Sequence, residues 1–311
     1  MERVACNLCG STRQEILWEG QDWAYGGPGR FTMVRCTECG LIFLNPRPTL
    51  DEIGLYYPED YEPYQRTISA LRSQWLDLVQ RIKLRPHVRL VTRLTKGGHL
   101  LDVGCATGGF IRELHRLGGW HVQGVEINAR AVCFARQQLG LNIFCGSLTD
   151  ARFPSDSFDI VTMWDVLEHV HDPLPTLKEV HRILRPGGYF IGSTPNANSL
   201  DARIFGRYWI GFDFPRHLYV FSSSTLAALF RKAGLEPERF FCFYGRYTTF
   251  ALSLSLWLNG HVHSRVWQRR LRSILLFPLF RHVTLPYFLV LDALQRGAII
   301  TVLARKAARN A

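Results

Sequence analysis

The sequence predicts an α/β fold with a doubly wound, mostly parallel sheet. Short strand-like segments alternate with helical segments through the middle of the chain, and such alternation is typical of βαβ units. Two pairs of cysteines precede this region, and an apolar, basic segment interrupts it before the last expected strand. We therefore expect a central sheet, a small metal-binding ribbon in front of it and a helical insertion near the end.

The pattern of apolar residues predicts the elements in order. Residues 31–34 and 41–44 are expected to be strands of the ribbon, and the helical spacing from Ile68 to Leu94 predicts one or two helices divided near Pro86. The alternating region then predicts strands over 99–104, 122–127, 142–145, 158–163 and 189–193, and helices over 109–117, 129–139, 173–184 and 223–233. Two final strands, 239–250 and 297–303, are expected to flank the insertion.

These elements divide the chain into five expected parts. The 311 residues are enough to bury a sizeable core. The parts are a ribbon over 1–48, a helical linker or cap over 49–97, the core over 98–249, an apolar and basic helical insertion over 250–295, and the last core strand with a tail over 296–311.

The charge of the chain is strongly positive and unevenly spread. The net charge is +11, and residues 65–96 and 261–311 hold eight and nine Lys or Arg, with one acid each. Such faces suit a phosphate-bearing partner or an anionic membrane surface, although charges also serve simply to keep a surface solvated. The first residues, MERVACNLCG, carry no long apolar run, so we expect a cytoplasmic protein.

The front of the chain predicts a metal site. Two residues between paired cysteines let one tight turn direct both sulfurs at a single ion, and a trailing glycine permits the positive φ that such a knuckle needs. Four thiolates leave no ligand position open, so we expect a structural zinc site rather than a catalytic one. The alternatives are a redox dithiol or four unrelated thiols. The residues are Cys6 and Cys9 before Gly10, and Cys36 and Cys39 before Gly40.

A glycine-rich stretch, LLDVGCATGGF, follows the first core strand and opens a helix. Its form is D-x-G-x-x-x-G, from Asp102, Gly104 and Gly108, and it differs from the G-x-G-x-x-G fingerprint of dinucleotide sites. The looser turn suits a nucleoside without a diphosphate. Glu126 ends the next strand, where a carboxylate can accept hydrogen bonds from both hydroxyls of a ribose.

These motifs resemble class I S-adenosylmethionine-dependent methyltransferases. The later segments FPSDSFDIVTMWDVLEHVHDP and LKEVHRILRPGGYFIGSTPN resemble the fourth and fifth strand regions of that family. The resemblance covers roughly residues 98–233 and implies a seven-stranded Rossmann-like sheet with S-adenosylmethionine as cofactor. It implies that Asp102, Gly104, Cys105 and Gly108 line the methionine end, that Glu126 holds the ribose, that Ile127, Ser147 and Leu148 lie at the adenine, and that Trp164 and Asp165 face the sulfonium.

Two histidines are candidates for removing a proton from the acceptor. The two-knuckle front and the segment 211–224 resemble zinc-containing sugar C-methyltransferases, in which a histidine at the position of His217 is linked to proton removal. His169, after the fourth core strand, is the second candidate. Alternatively, His217 fixes its loop by a hydrogen bond, and Glu168-His169 only orients a loop.

The expected acceptor is a small molecule. It could be a sugar nucleotide, a glycan or lipid precursor, or a quinone-like compound as in UbiG-like small-molecule methyltransferases. An RNA methyltransferase and a non-catalytic cofactor-binding module are the alternatives. Exocyclic-amine methyltransferases place Asn/Asp-Pro-Pro-aromatic where this chain has MWDVL, so nucleic acid is disfavoured. The insertion over 250–295 is expected to be a lid, a dimer face or a peripheral contact with the inner membrane face, and the oligomeric state stays open.

Overall fold

In a computed structural model, which describes residues 1–58, 73–262 and 278–308, eleven strands form two sheets. The smaller sheet has the order β1-β2-β3-β9, and the larger has the order β10-β11-β8-β7-β4-β5-β6. The strands are β1 Gln14–Gly20, β2 Phe31–Cys36, β3 Ile42–Leu44, β4 Gly98–Val103, β5 Trp120–Glu126, β6 Ile143–Cys145, β7 Phe158–Trp164, β8 Leu184–Pro195, β9 Tyr219–Val220, β10 Leu235–Phe241 and β11 Ile299–Lys306.

The larger sheet has the predicted doubly wound architecture. Strands β4 to β8 pair in parallel, while β11 is antiparallel to both β8 and β10. The chain winds from β4 outward to β6 and then returns to β7 on the other side of β4. The carboxyl ends of β4 and β7 therefore face the crevice where ligands bind in open α/β sheets.

Most of the helices connect consecutive strands of this sheet along the chain. Those over Gly109–Leu117 and Ala129–Leu139 have the predicted bounds, and that over Pro173–Ile183 ends one residue earlier than expected. The helices are α1 Leu50–Ile53, α2 Gln74–Leu94, α3 Gly109–Leu117, α4 Ala129–Leu139, α5 Pro173–Ile183, α6 Leu200–Phe205, α7 Ser223–Lys232, α8 Arg246–His261, α9 Pro278–Val283 and α10 Leu285–Ala293.

Two expectations about the elements are wrong. Helix α2 is continuous through Pro86, because His87 and Val91 bury one face of the helix against the core on the far side of the proline. The strand expected over 239–250 ends at Phe241. Helix α8 begins at Arg246, directly after Gly245, which has a left-handed conformation with a φ of 75°. The part of the linker over 59–72 lies outside the described residues.

The ribbon sheet is completed by a strand from the core region. Strand β9 pairs antiparallel with β3, and the Leu44 N–H donates to the Leu218 carbonyl at 2.9 Å. Arg47 donates to the carbonyl of His171 at 2.7 Å and to the hydroxyl of Tyr219 at 2.9 Å. Hydrogen bonds therefore cross the expected boundary at residue 48 directly beside the segment that contains His217.

Helices α8 to α10 account for the described part of the insertion before β11. Residues 263–277 of the expected insertion lie outside the described part of the chain. Among the described helices, none combines the length and the hydropathy that crossing a bilayer requires.

Candidate active site

The two cysteine knuckles form one cluster. The ligand atoms of all four cysteines lie within 4.8 Å of one another, with Cys6 and Cys39 sulfurs 3.5 Å apart and Cys9 and Cys36 sulfurs 3.5 Å apart. Gly10 follows the first knuckle at a φ of 81°, as the spacing predicts. In a tetrahedral thiolate site with Zn–S bonds of about 2.3 Å, sulfurs are separated by roughly 3.8 Å. The donor set and its spacing therefore fit a structural zinc ion.

The glycine turn, residues 104–108, connects β4 to α3. Gly104 has a φ of 70° and Gly108 a φ of 77°, a region that residues with a Cβ adopt at a cost. A Cβ on Gly104 would lie 2.5 Å from a methyl group of Val166, and a Cβ on Gly108 would lie 2.4 Å from Leu141. The turn thus needs glycine at both positions and presents backbone rather than side chains at the start of α3.

Glu126 joins the glycine turn to the end of β5. One carboxylate oxygen accepts from the Ala106 N–H at 2.8 Å, and the other accepts from the Asn128 N–H at 2.9 Å. The side chain is nearly buried, so these bonds fix its orientation at the tip of the strand. A carboxylate at a strand tip is also the kind of acceptor that the hydroxyl groups of a ligand bind.

Asp102 lies below the turn at the end of β4. It is buried, and one oxygen accepts from the Thr162 hydroxyl at 2.6 Å. Burial, together with the charge of Glu126, raises its pKa to about 7, although the Thr162 hydrogen bond acts in the opposite direction. Cys105 is also buried, with its sulfur packed against the Cα of Gly124 on β5.

The residues expected at an adenine ring lie at the ends of β5 and β6. Ile127 exposes 75% of its surface, and such an apolar side chain at a strand tip offers a face on which a flat ring can pack. Leu148, three residues after the end of β6, is buried. The Ser147 hydroxyl donates to Asp150 at 2.5 Å, so an acid lies three residues after Ser147 in the same loop.

Trp164 ends β7, Asp165 follows it, and both belong to a cluster of side chains that the sequence did not predict. Asp165 has a φ of 55°, and its Oδ1 accepts from Ser193 at 2.9 Å and from Tyr244 at 2.8 Å. Burial raises the pKa of Asp165. The ring of His87, from α2, lies edge-on to Trp164 with centroids 4.5 Å apart. Nothing in the spacing of the sequence indicated that α2 reaches this edge of the sheet.

The structure brings the two predicted histidines together. The rings of His169 and His217, which we call the histidine cluster, are 4.7 Å apart at an angle of 75°. His217 Nδ1 lies 2.9 Å from the Gly211 carbonyl oxygen, and His169 Nδ1 lies 3.0 Å from the carbonyl oxygen of Arg216. Because a carbonyl only accepts, the contact with Gly211 favours a neutral His217 with its proton on Nδ1 and an unprotonated Nε2, and the contact with Arg216 favours the same tautomer of His169.

The environment keeps both rings neutral. Burial is the main cause that lowers the pKa of His169 to about 3, and burial also lowers the pKa of His217. The Tyr57 hydroxyl lies 3.0 Å from His169 Nδ1, which is a contact that the sequence did not indicate. A neutral imidazole has an unprotonated nitrogen that can accept a proton, and a lowered pKa makes it a weaker base.

Glu168 is the third member of this neighbourhood. It is fully buried, and within the described parts of the chain neither carboxylate oxygen has a hydrogen-bond partner. Burial and the nearby charge of Asp165 raise its pKa well above the usual value. One ligand atom from each of Glu168, His169 and His217 lies within 4.8 Å of the others, so these side chains could also hold a divalent ion.

Comparison with known proteins identifies the family. The family profile described as a methyltransferase domain matches residues 70–239, more than half of the chain. A ubiquinone biosynthesis O-methyltransferase from Cereibacter sphaeroides is 36% identical over 153 residues, which are 46% of this chain and 62% of that relative. One from Coxiella burnetii is 34% identical over 128 residues, covering 40% of this chain and 53% of the relative. The chain thus spans less than two thirds of these relatives.

A solved structure shares the fold at lower sequence identity. The crystal structure of the cyclase SpnF has a TM-score of 0.51 and 18% identity, and the match covers 85% of this chain and 98% of that one. The strand order, the glycine turn and the family profile agree with one another. This chain belongs to the methyltransferase domain family and, within it, to the class I S-adenosylmethionine-dependent methyltransferases.

Proposed function

We propose that this protein transfers a methyl group from S-adenosylmethionine to a small molecule, with a histidine as general base. The paired, neutral histidines beside the carboxyl end of β7 are the observation that carries this proposal. Zinc in the cysteine knuckles has a structural role, because four thiolates leave no position for water or substrate.

The cofactor binds across the carboxyl ends of β4 and β5. Asp102 and the backbone of Gly104, Cys105 and Gly108 line its methionine end, and Glu126 accepts from the ribose hydroxyls. Ile127, Ser147 and Leu148 would hold the adenine, and Trp164 and Asp165 would lie at the sulfonium. The side-chain-free turn and the exposed face of Ile127 support this placement. When bound, the cofactor supplies an electrophilic methyl group and a leaving group that departs as a neutral thioether.

The histidine cluster accepts the proton that the acceptor must lose. Nε2 of His217 takes the proton, and the Gly211 carbonyl stabilises the resulting imidazolium through Nδ1–H. The charge of Asp213 favours the same protonated form. His169 is the second candidate base, since its Nδ1–H is held in the same way by the Arg216 carbonyl.

The acceptor is a sugar nucleotide or a glycan or lipid precursor that carries phosphate. The net charge of +11 and the resemblance to sugar C-methyltransferases support a phosphate-bearing acceptor. The names of the curated relatives support a hydroxyl acceptor of the quinone-precursor type instead. Both acceptors lose a proton on methylation, so the same base serves either reaction.

Calorimetry and a transfer assay together test the proposal. We expect S-adenosylhomocysteine to bind the zinc-loaded protein, and radiolabelled methyl to reach a nucleoside-diphosphate sugar or a catechol. His217→Gln should lower kcat about 100- to 10,000-fold without changing the affinity for S-adenosylhomocysteine. The matched control is His115→Gln, at an exposed histidine of α3. No heat with S-adenosylhomocysteine would contradict the cofactor assignment, and full activity of both His217→Gln and His169→Gln would contradict the base.

We further propose that the insertion docks peripherally on an anionic lipid surface at the inner membrane face. Val283, Val290 and Leu294, on or beside α9 and α10, are 68%, 57% and 64% exposed. Apolar side chains beside basic residues are typical of interfacial elements. We expect the protein to float with vesicles containing phosphatidylglycerol, and Val290→Asp to weaken this binding. The control is Leu117→Asp on α3, where the leucine is 59% exposed. Equal flotation of both variants would contradict the proposal.

A further inference from the structure

The loop between β1 and β2 contributes one side chain, Asp22, to a buried ion pair with Arg216 of the core region. Asp22, in this loop, accepts from Arg216 through both oxygens, at 2.7 and 2.9 Å. The same carboxylate accepts from the backbone N–H groups of Tyr25 and Gly27, at 3.0 and 3.1 Å. Both side chains of the pair are almost fully buried, with exposures of 0% and 1%. A bidentate pair of this kind fixes both distance and orientation.

Arg216 is the residue directly before His217, and its donors are fully engaged. The guanidinium also bonds to Asp213, through Nε at 2.9 Å and Nη2 at 2.7 Å. It donates further to the Tyr56 carbonyl at 3.0 Å and lies 4.6 Å from the centre of the Tyr25 ring. The ion pair therefore clamps together the ribbon loop, the start of the linker and the loop that contains His217.

The contacts of His169, and the chain on either side of His217, lie next to this clamp. The backbone carbonyl of Arg216 accepts the proton of His169 Nδ1, at 3.0 Å. Tyr57, whose hydroxyl lies 3.0 Å from the same nitrogen, directly follows the residue whose carbonyl Arg216 binds. On the other side of His217, Leu218 and β9 are hydrogen-bonded to the ribbon strand β3. Ribbon contacts thus hold the chain on both sides of His217.

We propose that Asp22 is a positioning residue, through which the ribbon fixes the tautomer and orientation of His217 and His169. The inference rests on the proposed function, since it assigns these rings the role of a base. Asp22 does not contact an acceptor or cofactor itself. Its carboxylate determines where the Arg216 backbone lies. The Arg216 carbonyl contacts Nδ1 of His169 at 3.0 Å, and the position of Arg216 sets the orientation of His217, the next residue in the chain.

The strength of the effect follows from the burial of the pair. Removal of one partner from a buried ion pair leaves the other charge without full compensation, and the loop then moves to solvate it. A displacement of about 1 Å in a catalytic group can cost about 100-fold in rate. For Asp22→Asn we therefore expect kcat to fall about 10- to 100-fold, while KM for S-adenosylmethionine stays unchanged.

The decisive measurement is nuclear magnetic resonance of the full-length protein labelled with ¹⁵N-histidine. In the wild type, His217 and His169 should each show a single neutral tautomer with the proton on Nδ1. In Asp22→Asn, loaded with zinc and bound to S-adenosylhomocysteine, these signals should shift or broaden as the tautomers interconvert. Glu2→Gln is the matched control, because Glu2 pairs with buried Arg47 at 2.8 Å in the same ribbon and does not contact Arg216.

A second variant covers the case in which Asp22→Asn does not fold. Arg216→Lys keeps the positive charge but cannot span both carboxylates, so it should produce the same change in the histidine signals. Unchanged signals in either folded variant would overturn the proposal, and so would an Nε2–H tautomer of His217 in the wild type. These signals do not depend on turnover. A protein that fails the transfer assay can still show whether Asp22 positions the rings.

Discussion

The glycine turn and the histidine cluster both lie at the edge of the sheet where the parallel strands have their carboxyl ends. They differ in the kind of contacts that hold them in place. The turn is held by contacts between residues close in sequence, such as the Ala106 N–H and Glu126, which are 20 residues apart. The histidine cluster depends on Asp22 and Arg216, which are 194 residues apart, and on Tyr57 and His169, which are 112 apart. One region is fixed by backbone conformation, and the other is assembled by tertiary contacts from the ribbon, the linker and the core.

The two regions also bury ionisable groups with opposite consequences for pH. At the glycine turn, burial raises the pKa of a carboxyl group, so the native state holds a proton that the unfolded chain releases. At His169, and at His87 on α2, burial lowers the pKa of the imidazole, so the native state excludes protons that the unfolded chain binds. Acid should therefore stabilise the fold through Asp102 and destabilise it through these imidazoles, whereas buried Glu168 beside His169 acts in the same direction as Asp102.

The largest expected effect is at Asp102. Its native pKa of about 7 lies above its ordinary value of 3.8, so the wild type should lose stability as pH rises from about 4 to about 7. At 1.36 kcal/mol for each pKa unit, the loss is about 4 kcal/mol. Asp102→Asn cannot ionise, so its stability relative to the wild type should increase by that amount over the same range. Urea unfolding at a series of pH values measures the difference.

A second variant, Thr162→Val, tests whether the pKa of Asp102 causes this pH dependence. The Thr162 hydroxyl stabilises the ionised carboxylate, so its loss should raise the pKa of Asp102 further and extend the range of falling stability to higher pH. A difference between wild type and Asp102→Asn that does not vary with pH would show that the carboxylate remains ionised, and the contrast between the two regions would then fail.

The difference between the regions explains what the sequence could predict. The D-x-G-x-x-x-G spacing and the strand–helix alternation are local, and they predicted the doubly wound sheet and the bounds of α3 and α4. The two C-x-x-C pairs likewise predicted a cluster that closes through knuckles of four residues each. In these cases the residues that meet are near one another in the chain or on neighbouring strands.

The remaining contacts could not be predicted because their partners are remote. An arginine in Pro215-Arg216-His217 could pair with any of many acids, and no spacing singles out Asp22. The ring contact between His87 and Trp164 requires a helix that continues through Pro86. Proline inside a helical pattern normally predicts a break or kink. The start of α8 was missed because apolar residues from 246 onward suit a strand as well as a buried helix.

The smaller expected effect is at His87, whose ring lies against Trp164 and Tyr244. Burial lowers its pKa to about 4 from 6.5, so the wild type should lose stability as pH falls through this range. At pH 5 the loss is about 2 kcal/mol, which is 1.36 kcal/mol for each of ~1.5 pH units below the unfolded pKa. His87→Phe keeps the edge-on contacts with Trp164 and Tyr244, both at 4.5 Å, but cannot bind a proton. Relative to wild type, the variant should therefore gain stability between pH 7 and pH 5, opposite in direction to Asp102→Asn. Urea unfolding at both pH values measures the gain, and a His87 imidazole signal that titrates near pH 6.5 in the folded protein would contradict it.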